Sequence, residues 1–489
     1  MSFSDVSRAL AQPVRYGVIG RYLARIGLVI VVLKLVPILL AGFYRDWSFM
    51  MWQLLALTGL GACCLPLVRL PVPDGIRDNE VMVISVLSFV LAAVFEALPL
   101  LGEGLNGIDA LFETVSGVTT TGLSMMTNLD RYSGGVLFAR AWMQWYGGLG
   151  IVAFSIALSI LDQGVAARRL AMGDNDSRDI LGNARNHSLK LLGIYCGLTA
   201  IMIILLWLLG ASPFCAVTHV LSGVSTGGFS IYDASLAAVE PRRLQFIIML
   251  SGVLGAISLP FYYRLLRNGV KELAFTAETL VLLALSLVMI ALLFYGADHQ
   301  TGDLASRLQD AVITGLSAQT TTGFASVKVA ELNDAAKLTL IISMAIGGST
   351  GSTAGGIKIL RFLIVLRLLQ FFIVRTALPA HAVLERRLGG DKLESNDIER
   401  ALLLVFVCIA TVLCSWLPFL MMGYAPMDAL FEVVSACSTT GLSAGITRVE
   451  LEPGLKLVLI ADMLLGRVEF LAFLLFLYPR TWFKLGSKV

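Results

Sequence analysis

Long apolar runs separated by short polar segments make up most of the chain. A membrane-spanning helix needs about 20 consecutive, mostly apolar residues. Runs of this kind lie near residues 24–43, 48–68, 82–101, 136–161, 188–210, 242–263, 277–297, 338–374, 401–422 and 455–478. The pattern predicts an all-α integral membrane protein with ten transmembrane helices, surrounded by membrane lipid.

Lys and Arg concentrate in alternate connecting segments. The N-terminus, the C-terminal tail and segments 162–187, 264–271 and 375–400 are basic, and the segments between them contain less Lys and Arg for their length. Positively charged loops remain on the cytoplasmic side, and an even number of spans places both termini on one side. We therefore expect both termini in the cytoplasm. Residues 1–23 lack the features of a signal peptide.

The composition excludes several classes of protein. The chain is 57% hydrophobic and 15% charged, whereas soluble domains carry roughly 25% charged residues. A net charge of +3 is too small for the basic face that nucleic acid requires, so no nucleic-acid partner is expected. There is no HExxH motif or paired CxxC spacing, and the seven cysteines lie mostly in apolar runs, as small core residues do.

Four segments of similar sequence recur, each between two apolar runs. They are 116–124 (SGVTTTGLS), 222–230 (SGVSTGGFS), 317–325 (SAQTTTGFA) and 435–443 (SACSTTGLS). An aspartate precedes three of them at the same offset, as Asp109, Asp310 and Asp428, whereas the second copy has Cys215. All four copies run in the same direction through the predicted membrane, so the repeats are parallel rather than inverted.

Each repeat is predicted to contain a span, a short helix, a Thr/Gly turn and a second span. The expected units are residues 76–165, 180–268, 272–378, which includes a Gly-rich loop inside the membrane, and 395–489. Residues 1–75 form an additional hairpin of two spans. Asp is a good N-cap, so Asp109, Asp310 and Asp428 are expected to begin the short helices.

This arrangement suits a cation. Each short helix directs its negative C-terminal pole toward the Thr/Gly segment, and rings of backbone carbonyls replace the hydration shell of a K⁺-sized ion. A single Thr-Thr-Gly is most simply a turn, but four in register argue against that interpretation. The candidate ligands are Thr119, Thr120, Thr121, Gly122, Ser225, Thr226, Gly227, Gly228, Thr320, Thr321, Thr322, Gly323, Ser438, Thr439, Thr440 and Gly441.

Together with 144–150 (QWYGGLG), these four segments resemble the Trk/Ktr/HKT potassium transporter superfamily, and the extra N-terminal hairpin resembles its TrkH branch. The resemblance covers nearly the whole chain. It implies one K⁺/Rb⁺-selective pore per chain in the bacterial inner membrane, with K⁺ as the bound ion. It also implies a homodimer and a TrkA-like nucleotide-binding regulatory ring in the cytoplasm. This chain has no GxGxxG on a βαβ pattern, so we expect no nucleotide site on it. One departure is Gly227, where the other copies have threonine.

The run that begins near residue 338 is interrupted by a glycine-rich segment at membrane depth. Non-helical backbone there must face protein or a water-filled cavity. We interpret the segment as a flexible gate below the Thr/Gly segments; a hairpin turn between two ordinary helices is the alternative. The candidate gate residues are Gly347, Gly348, Ser349, Thr350, Gly351, Ser352, Thr353, Ala354, Gly355 and Gly356.

The last apolar run carries Asp462, Arg467 and Glu469. Ionisable residues inside a bilayer usually face the bundle interior. The offset of Arg467 from Gly441 places it level with the glycine-rich segment, and the family resemblance implies an arginine at the constriction. We interpret Arg467 as a fixed positive charge of the gate; a structural pair with Glu469 or Asp462 is the alternative.

Other buried polar residues receive mainly structural interpretations. Lys34 and Glu96 are expected to pair or to extend toward the membrane surface. Glu113 and Glu432 either attract cations or bridge neighbouring backbone. His219, which replaces those glutamates in the second copy, is expected to be packed and hydrogen-bonded.

The sequence therefore predicts a K⁺ uptake pore and not an enzyme. An Na⁺- or H⁺-coupled symporter remains open, as the sequence alone does not separate the two. An intramembrane enzyme requires a nucleophile paired with its base, and the four histidines stand at no such spacing. A receptor or scaffold does not require four parallel re-entrant segments.

Overall fold

The computed structural model describes residues 13–71, 76–161, 180–269, 277–296, 303–379, 387–388, 391–468 and 470–483. For 151–161, 180–188, 268 and 391–392 it describes the backbone alone. Most of the basic segment 162–187, with Arg168, Arg169 and Arg178, lies outside the described residues, and so does Glu469.

The described residues are mainly helical. The helices in chain order are α1 Tyr16–Phe43, α2 Trp47–Leu67, α3 Asp78–Gly102, α4 Gly107–Val118, α5 Gly134–Leu161, α6 Ile180–Leu208, α7 Pro213–Val224, α8 Arg243–Ala256, α9 Leu259–Asn268, α10 Ala277–Gly296, α11 Leu304–Gln319, α12 Asp334–Ala345, α13 Ile359–Thr376, α14 Ser395–Met421, α15 Pro426–Cys437, α16 Pro453–Val468, α17 Phe470–Leu477 and α18 Pro479–Trp482. Two short strands, β1 Arg387–Leu388 and β2 Asp391–Lys392, pair antiparallel. Three 3₁₀ turns, Leu129–Arg131, Ser235–Ala238 and Val329–Glu331, follow the first three Thr/Gly segments.

Several helices are built for a lipid environment. Among the described residues, six helices are long and apolar enough to cross a membrane, and a seventh span results if the bent pair α8 and α9 is counted as one. Large apolar side chains such as Leu39, Leu287 and Phe406 are 74%, 68% and 69% exposed. Such a surface is unfavourable in water but suits the hydrocarbon of a bilayer. The chain is therefore a multi-pass membrane protein.

Two of the predicted runs are not continuous helices. Run 242–263 was expected to be one span, but it forms α8 and α9, which meet at an angle of 86°. Run 338–374 is divided by the segment between α12 and α13, as its glycine content indicates. In run 455–478 the boundary between α16 and α17 falls on residue 469, which lies outside the described residues. Hydropathy alone does not detect the break after α8, because Ser258 and Pro260 stand among apolar residues.

The N-terminal hairpin of α1 and α2 is tied to α3 and α5 by a buried polar network. Lys34 of α1 donates to Glu96 of α3 at 2.8 Å and to Gln53 of α2 at 3.0 Å. Tyr146 of α5 donates to the second oxygen of Glu96 at 3.1 Å. The expected pairing of Lys34 and Glu96 is confirmed, and it fixes the hairpin against the first repeat.

Candidate functional site

The four short helices α4, α7, α11 and α15 all end in the same way. At the end of α4, the Thr120 N–H donates to Gly117 O and the Thr121 N–H donates to Ser116 O, which is a Schellman motif. The equivalent pairs in the other copies are Thr226 to Gly223 and Gly227 to Ser222, Thr321 to Ala318 and Thr322 to Ser317, and Thr439 to Ala436 and Thr440 to Ser435. The second copy keeps this turn although its sequence diverges most.

The residue in the left-handed conformation is a threonine in every copy. Glycine is usual at this position of the motif because a β-branched side chain is strained there. Thr120, Thr226, Thr321 and Thr439 have φ of 53°, 53°, 52° and 49°. A strained backbone that recurs four times must be maintained by its surroundings, and such strain is concentrated at functional sites.

The Thr/Gly segments meet in a closed ring, hereafter the ring, formed by 119–122, 225–228, 320–323 and 438–441. Their glycines have φ of 98°, 78°, 83° and 90° in chain order. A Cβ atom on Gly122 would overlap Gly227 O, and one on Gly228 would overlap Thr322 O. In the same way Gly323 abuts Thr440 O, and Gly441 abuts Thr121 O. Each segment thus contacts the next, and the fourth contacts the first.

The chemistry of the ring favours a cation. Left-handed residues recur at the second and fourth positions of each segment, which is the alternation that turns successive carbonyls to one side. The C-terminal poles of four helices, which carry partial negative charge, end at the ring. The hydroxyl residues of the ring are at most 3% exposed.

The hydroxyl groups of the ring divide into two sets. First-position and third-position hydroxyls bond each other in three copies: Thr119 with Thr121 at 2.8 Å, Thr320 with Thr322 at 2.7 Å, and Ser438 with Thr440 at 2.7 Å. At the second position, the Thr120 and Thr439 hydroxyls have no hydrogen-bond partner among the described residues. Buried hydroxyls are rarely left unpaired, so these two groups are available to a ligand.

Behind the ring, a side chain from three of the four short helices braces the segment that follows the glycine. Glu113 accepts from the Met125 N–H at 2.8 Å and pairs with Arg140 of α5 at 2.8 Å. Glu432 accepts from Ser443 at 2.5 Å and from the Ile446 N–H at 3.1 Å. His219 lies 3.0 Å from the Ser230 hydroxyl, packed and hydrogen-bonded as expected. The bridging interpretation of Glu113 and Glu432 is confirmed.

The expected role of the three aspartates was wrong. The N-caps are Asn106 for α4, Asp303 for α11 and Ala425 for α15. Asp109 instead accepts from Lys456 of α16 at 2.5 Å, and Asp428 accepts from Lys337 of α12 at 2.7 Å. Each lysine comes from the preceding unit around the ring, so these pairs join neighbouring units.

Sequence reasoning overlooked Lys337 and Lys456. The available signal was a lysine at a similar offset after Gly323 and Gly441, inside an otherwise apolar run. The lysines also share a second contact, because Lys337 donates to Ala330 O and Lys456 to Val449 O. The pattern becomes meaningful only when the aspartates of the next unit are known to face them.

The glycine-rich segment lies directly against the ring. The Gly355 N–H donates to the Thr321 hydroxyl at 2.7 Å, and a Cβ on Gly355 would overlap Ser438 O. The Thr353 hydroxyl donates to Val224 O at 3.0 Å and to Gly255 O at 2.9 Å. The segment therefore contacts the second, third and fourth copies from one side.

The break after α8 provides acceptors for this segment. The carbonyl groups of Gly255 and Ala256 lie at the end of α8, where the helix stops and leaves them without helical partners. They accept from the Thr353 and Ser349 N–H groups, each at 3.1 Å. On the opposite side, the Thr350 N–H donates to Glu278 of α10 at 2.7 Å.

Arg467 joins the glycine-rich segment to the first unit. Its Nη1 donates to Thr353 O at 2.8 Å and its Nη2 donates to Gly147 O at 3.2 Å, and the residue is 2% exposed. Asp462, one of the alternative partners, accepts from Ser415 at 2.7 Å. The described contacts of Arg467 are thus with backbone carbonyls at the level that the sequence predicted.

Comparison with known proteins identifies the family. The profile of the TrkH family, described as cation transport protein, matches residues 73–481. The Trk system potassium uptake protein TrkI of Halomonas elongata is 29% identical over 98% of this chain and 99% of its own length. TrkH of Escherichia coli, described as a Trk system potassium uptake protein, is 27% identical over 83% of this chain and 86% of its own length.

A solved structure has the same fold. The crystal structure of the potassium transporter TrkH from Vibrio parahaemolyticus superimposes with a TM-score of 0.85, covering 96% of this chain and 100% of that chain at 24% identity. The profile match, which extends over most of the sequence, and the two relatives agree. This chain belongs to the TrkH family of cation transport proteins.

Proposed function

We propose that this chain moves K⁺ across the bacterial inner membrane through a pore whose filter is the ring. The observation that carries the proposal is the closed ring of four identical turns, into which four helix poles and two unpaired hydroxyls converge. Backbone carbonyls in this arrangement replace the water shell of an alkali ion. The relatives that are named as potassium uptake proteins support K⁺ as the transported ion.

The proposed architecture comprises ten spans, arranged as the N-terminal hairpin and four units around one pore. Each of the ten predicted runs contains one or two of the observed helices. Every short helix lies between two runs and ends at the ring. The proposed orientation, with both termini in the cytoplasm, is supported by the distribution of Lys and Arg.

The glycine-rich segment and Arg467 form the proposed gate. The segment contacts the second, third and fourth copies, and Arg467 completes the closure toward the first unit by bonding Gly147. A guanidinium in this position repels a cation that leaves the ring. Opening requires that the segment separate from the ring, and we propose that a TrkA-like nucleotide-binding ring bound to the cytoplasmic face drives it. We also propose that the chain is a homodimer with a pore in each protomer.

The test is ⁸⁶Rb⁺ uptake by the purified chain in K⁺-loaded liposomes, with external K⁺, Na⁺ or Cs⁺ as competitors. We expect uptake that K⁺ and Rb⁺ suppress at concentrations well below those of Na⁺. Liposomes without protein provide the baseline. Absence of uptake both with and without the regulatory partner would overturn the proposal.

The same preparation distinguishes a channel from a coupled symporter. For a channel, the reversal potential follows the K⁺ gradient alone. A reversal potential that moves with an imposed Na⁺ or H⁺ gradient would assign the chain to symport and would contradict the simple pore.

A further inference from the structure

One copy of the ring lacks a side chain that the other three share. Gly227 stands where the other copies have Thr121, Thr322 and Thr440. In the structure this space is not empty, because the side chain of Gln144 occupies it. Gln144 lies on α5, in the preceding unit, and is 0% exposed.

Three hydrogen bonds join the Gln144 amide to the second copy. Its Nε2 donates to Gly227 O at 2.5 Å. Its Oε1 accepts from the Ser222 hydroxyl at 2.6 Å and from the Phe229 N–H at 3.1 Å. One side chain therefore holds the second copy before, within and after its ring segment.

The backing serine has changed its role in the same copy. In the first and fourth copies, Ser116 and Ser435 accept from the N–H groups of Gly122 and Gly441, each at 3.0 Å. The equivalent Ser222 instead donates to Gln144. The glutamine thus fills the space of the missing threonine side chain and engages the backing serine, while the Ser225 hydroxyl bonds backbone carbonyls of its own helix.

In the third copy the ring residue is large and the residue that faces it is small, the reverse of the second copy. There the ring residue is Thr322, and the facing residue of the preceding unit is Gly252 of α8. A Cβ on Gly252 would lie 2.5 Å from Thr322 Oγ1, and a Cβ on Gly227 would lie 2.5 Å from Gln144 Oε1. At two equivalent interfaces the sizes are therefore reversed: a ring threonine, Thr322, faces Gly252, whereas a ring glycine, Gly227, faces Gln144.

We propose that Gln144 is a positioning residue that sets the ion preference of the ring. It acts through the Gly227 carbonyl, which lies next to Gly122 of the neighbouring copy. The amide N–H fixes the direction of this carbonyl and withdraws part of its negative charge. Selectivity among alkali ions depends on the number and field strength of the carbonyl dipoles, and a weaker field favours the larger ion. The inference rests on the proposed function of the ring.

The experiment measures ⁸⁶Rb⁺ uptake by the full chain in liposomes and compares inhibition by Na⁺ with inhibition by K⁺. In Gln144→Ala the carbonyl is freed, so we expect uptake to continue while Na⁺ inhibits at about tenfold lower concentration relative to K⁺. Gln144→Met keeps the volume of the side chain without its amide, and we expect the same shift from it. Gln144→Met therefore tests the same prediction if Gln144→Ala does not fold.

A paired exchange tests the complementarity of sizes. Gly227→Thr alone places a side chain against Gln144, and we expect it to lose most of the uptake. The double variant Gln144→Ala/Gly227→Thr recreates the arrangement of the fourth copy, in which Ser438 bonds Thr440. We expect it to recover uptake, whereas its ratio of Na⁺ to K⁺ inhibition stays that of Gln144→Ala, because the carbonyl of residue 227 still lacks the amide donor. A double variant no better than Gly227→Thr would overturn the proposal.

Gln245→Ala is the matched control. Gln245 is also a buried glutamine that donates to a backbone carbonyl, Val239 O at 2.9 Å, but that carbonyl is outside the ring. We expect its ion competition to equal that of the parent chain. An unchanged Na⁺/K⁺ ratio in Gln144→Met would overturn the role of Gln144 and leave the pore proposal intact. A parent chain that passes no Rb⁺ would overturn the pore proposal itself.

Discussion

The ring and the structure beneath it are built from the same four units but follow different rules. In the ring every unit contributes the same turn, with the same left-handed threonine and glycine. Beneath it each unit contributes something different: Gly147 from the first, the broken end of α8 from the second, the glycine-rich segment from the third and Arg467 from the fourth. Equal contributions suit the coordination of a spherical ion, whereas unequal contributions suit a closure that must open.

The largest effect is expected from a change that breaks the equality of the ring. In Gly441→Ala the added Cβ meets the backbone of Thr121 and the residue keeps a φ of 90°. Strain of this kind costs on the order of 3 kcal/mol, so we expect Rb⁺ uptake to fall by about 100-fold. Uptake in liposomes at equal protein content measures this.

Gly423→Ala separates ring contact from backbone strain. Gly423 also has a positive φ, 84°, but a Cβ there meets nothing within 4 Å. We expect it to retain most of the uptake. Equal losses in the two variants would contradict the assignment of the effect to the ring.

The next largest effect on uptake is expected from the glycine-rich segment that packs against the ring. Deleting residues 349–354 removes the contacts of Thr353 with Val224, Gly255 and Arg467. Since several hydrogen bonds hold the closed state, we expect Rb⁺ uptake without the regulatory partner to rise by about tenfold or more. Unchanged uptake in a variant that is extracted and purified normally would refute the gate.

Replacing the charge alone has a smaller expected effect. Arg467→Ala removes the guanidinium but leaves the glycine-rich segment in place, so we expect a rise in Rb⁺ uptake of about threefold to tenfold. Arg448→Ala is the control, because Arg448 lies in the same unit with its side chain 62% exposed. A fall in uptake at normal expression would instead favour a structural role for Arg467.

The smallest effect on transport is expected from the ion pairs that join the units. Lys456→Met leaves Asp109 buried without its partner, and breaking a buried pair costs about 3–5 kcal/mol. We expect a clear fall in thermal stability in detergent, with the ion preference of the surviving protein unchanged. Lys328→Met breaks the exposed pair with Glu331, whose side chains are 81% and 71% exposed, and costs about 0–1 kcal/mol. Equal losses of stability would contradict a special role for the buried pairs.

The ring could be predicted from the sequence because its four segments are repeats of one another. Four Thr/Gly segments in register, each between apolar runs, indicate convergence without any knowledge of tertiary contacts. The interruption before α13 and the depth of Arg467 were also predictable, since both depend on distance along a helix from the ring.

The rest depends on contacts between distant parts of the chain. Asp109 appeared to be a helix cap because its tertiary partner, Lys456, lies far away in sequence. The sequence did not predict a role for Gln144. It did show that Gly227 lacks the threonine side chain of the other copies, and Gln144 lies in that space. The hydropathy pattern did not predict the break after α8, because the residues around it remain apolar.

Continuity of the polypeptide has a consequence for how such a protein changes over evolution. In a channel assembled from four identical subunits, one mutation changes the same position in all four subunits. Here a change at a position such as 227 alters a single copy, and a residue of a distant helix, such as Gln144, can fill the space. Under the proposed function, the ion preference of the ring can therefore change one copy at a time.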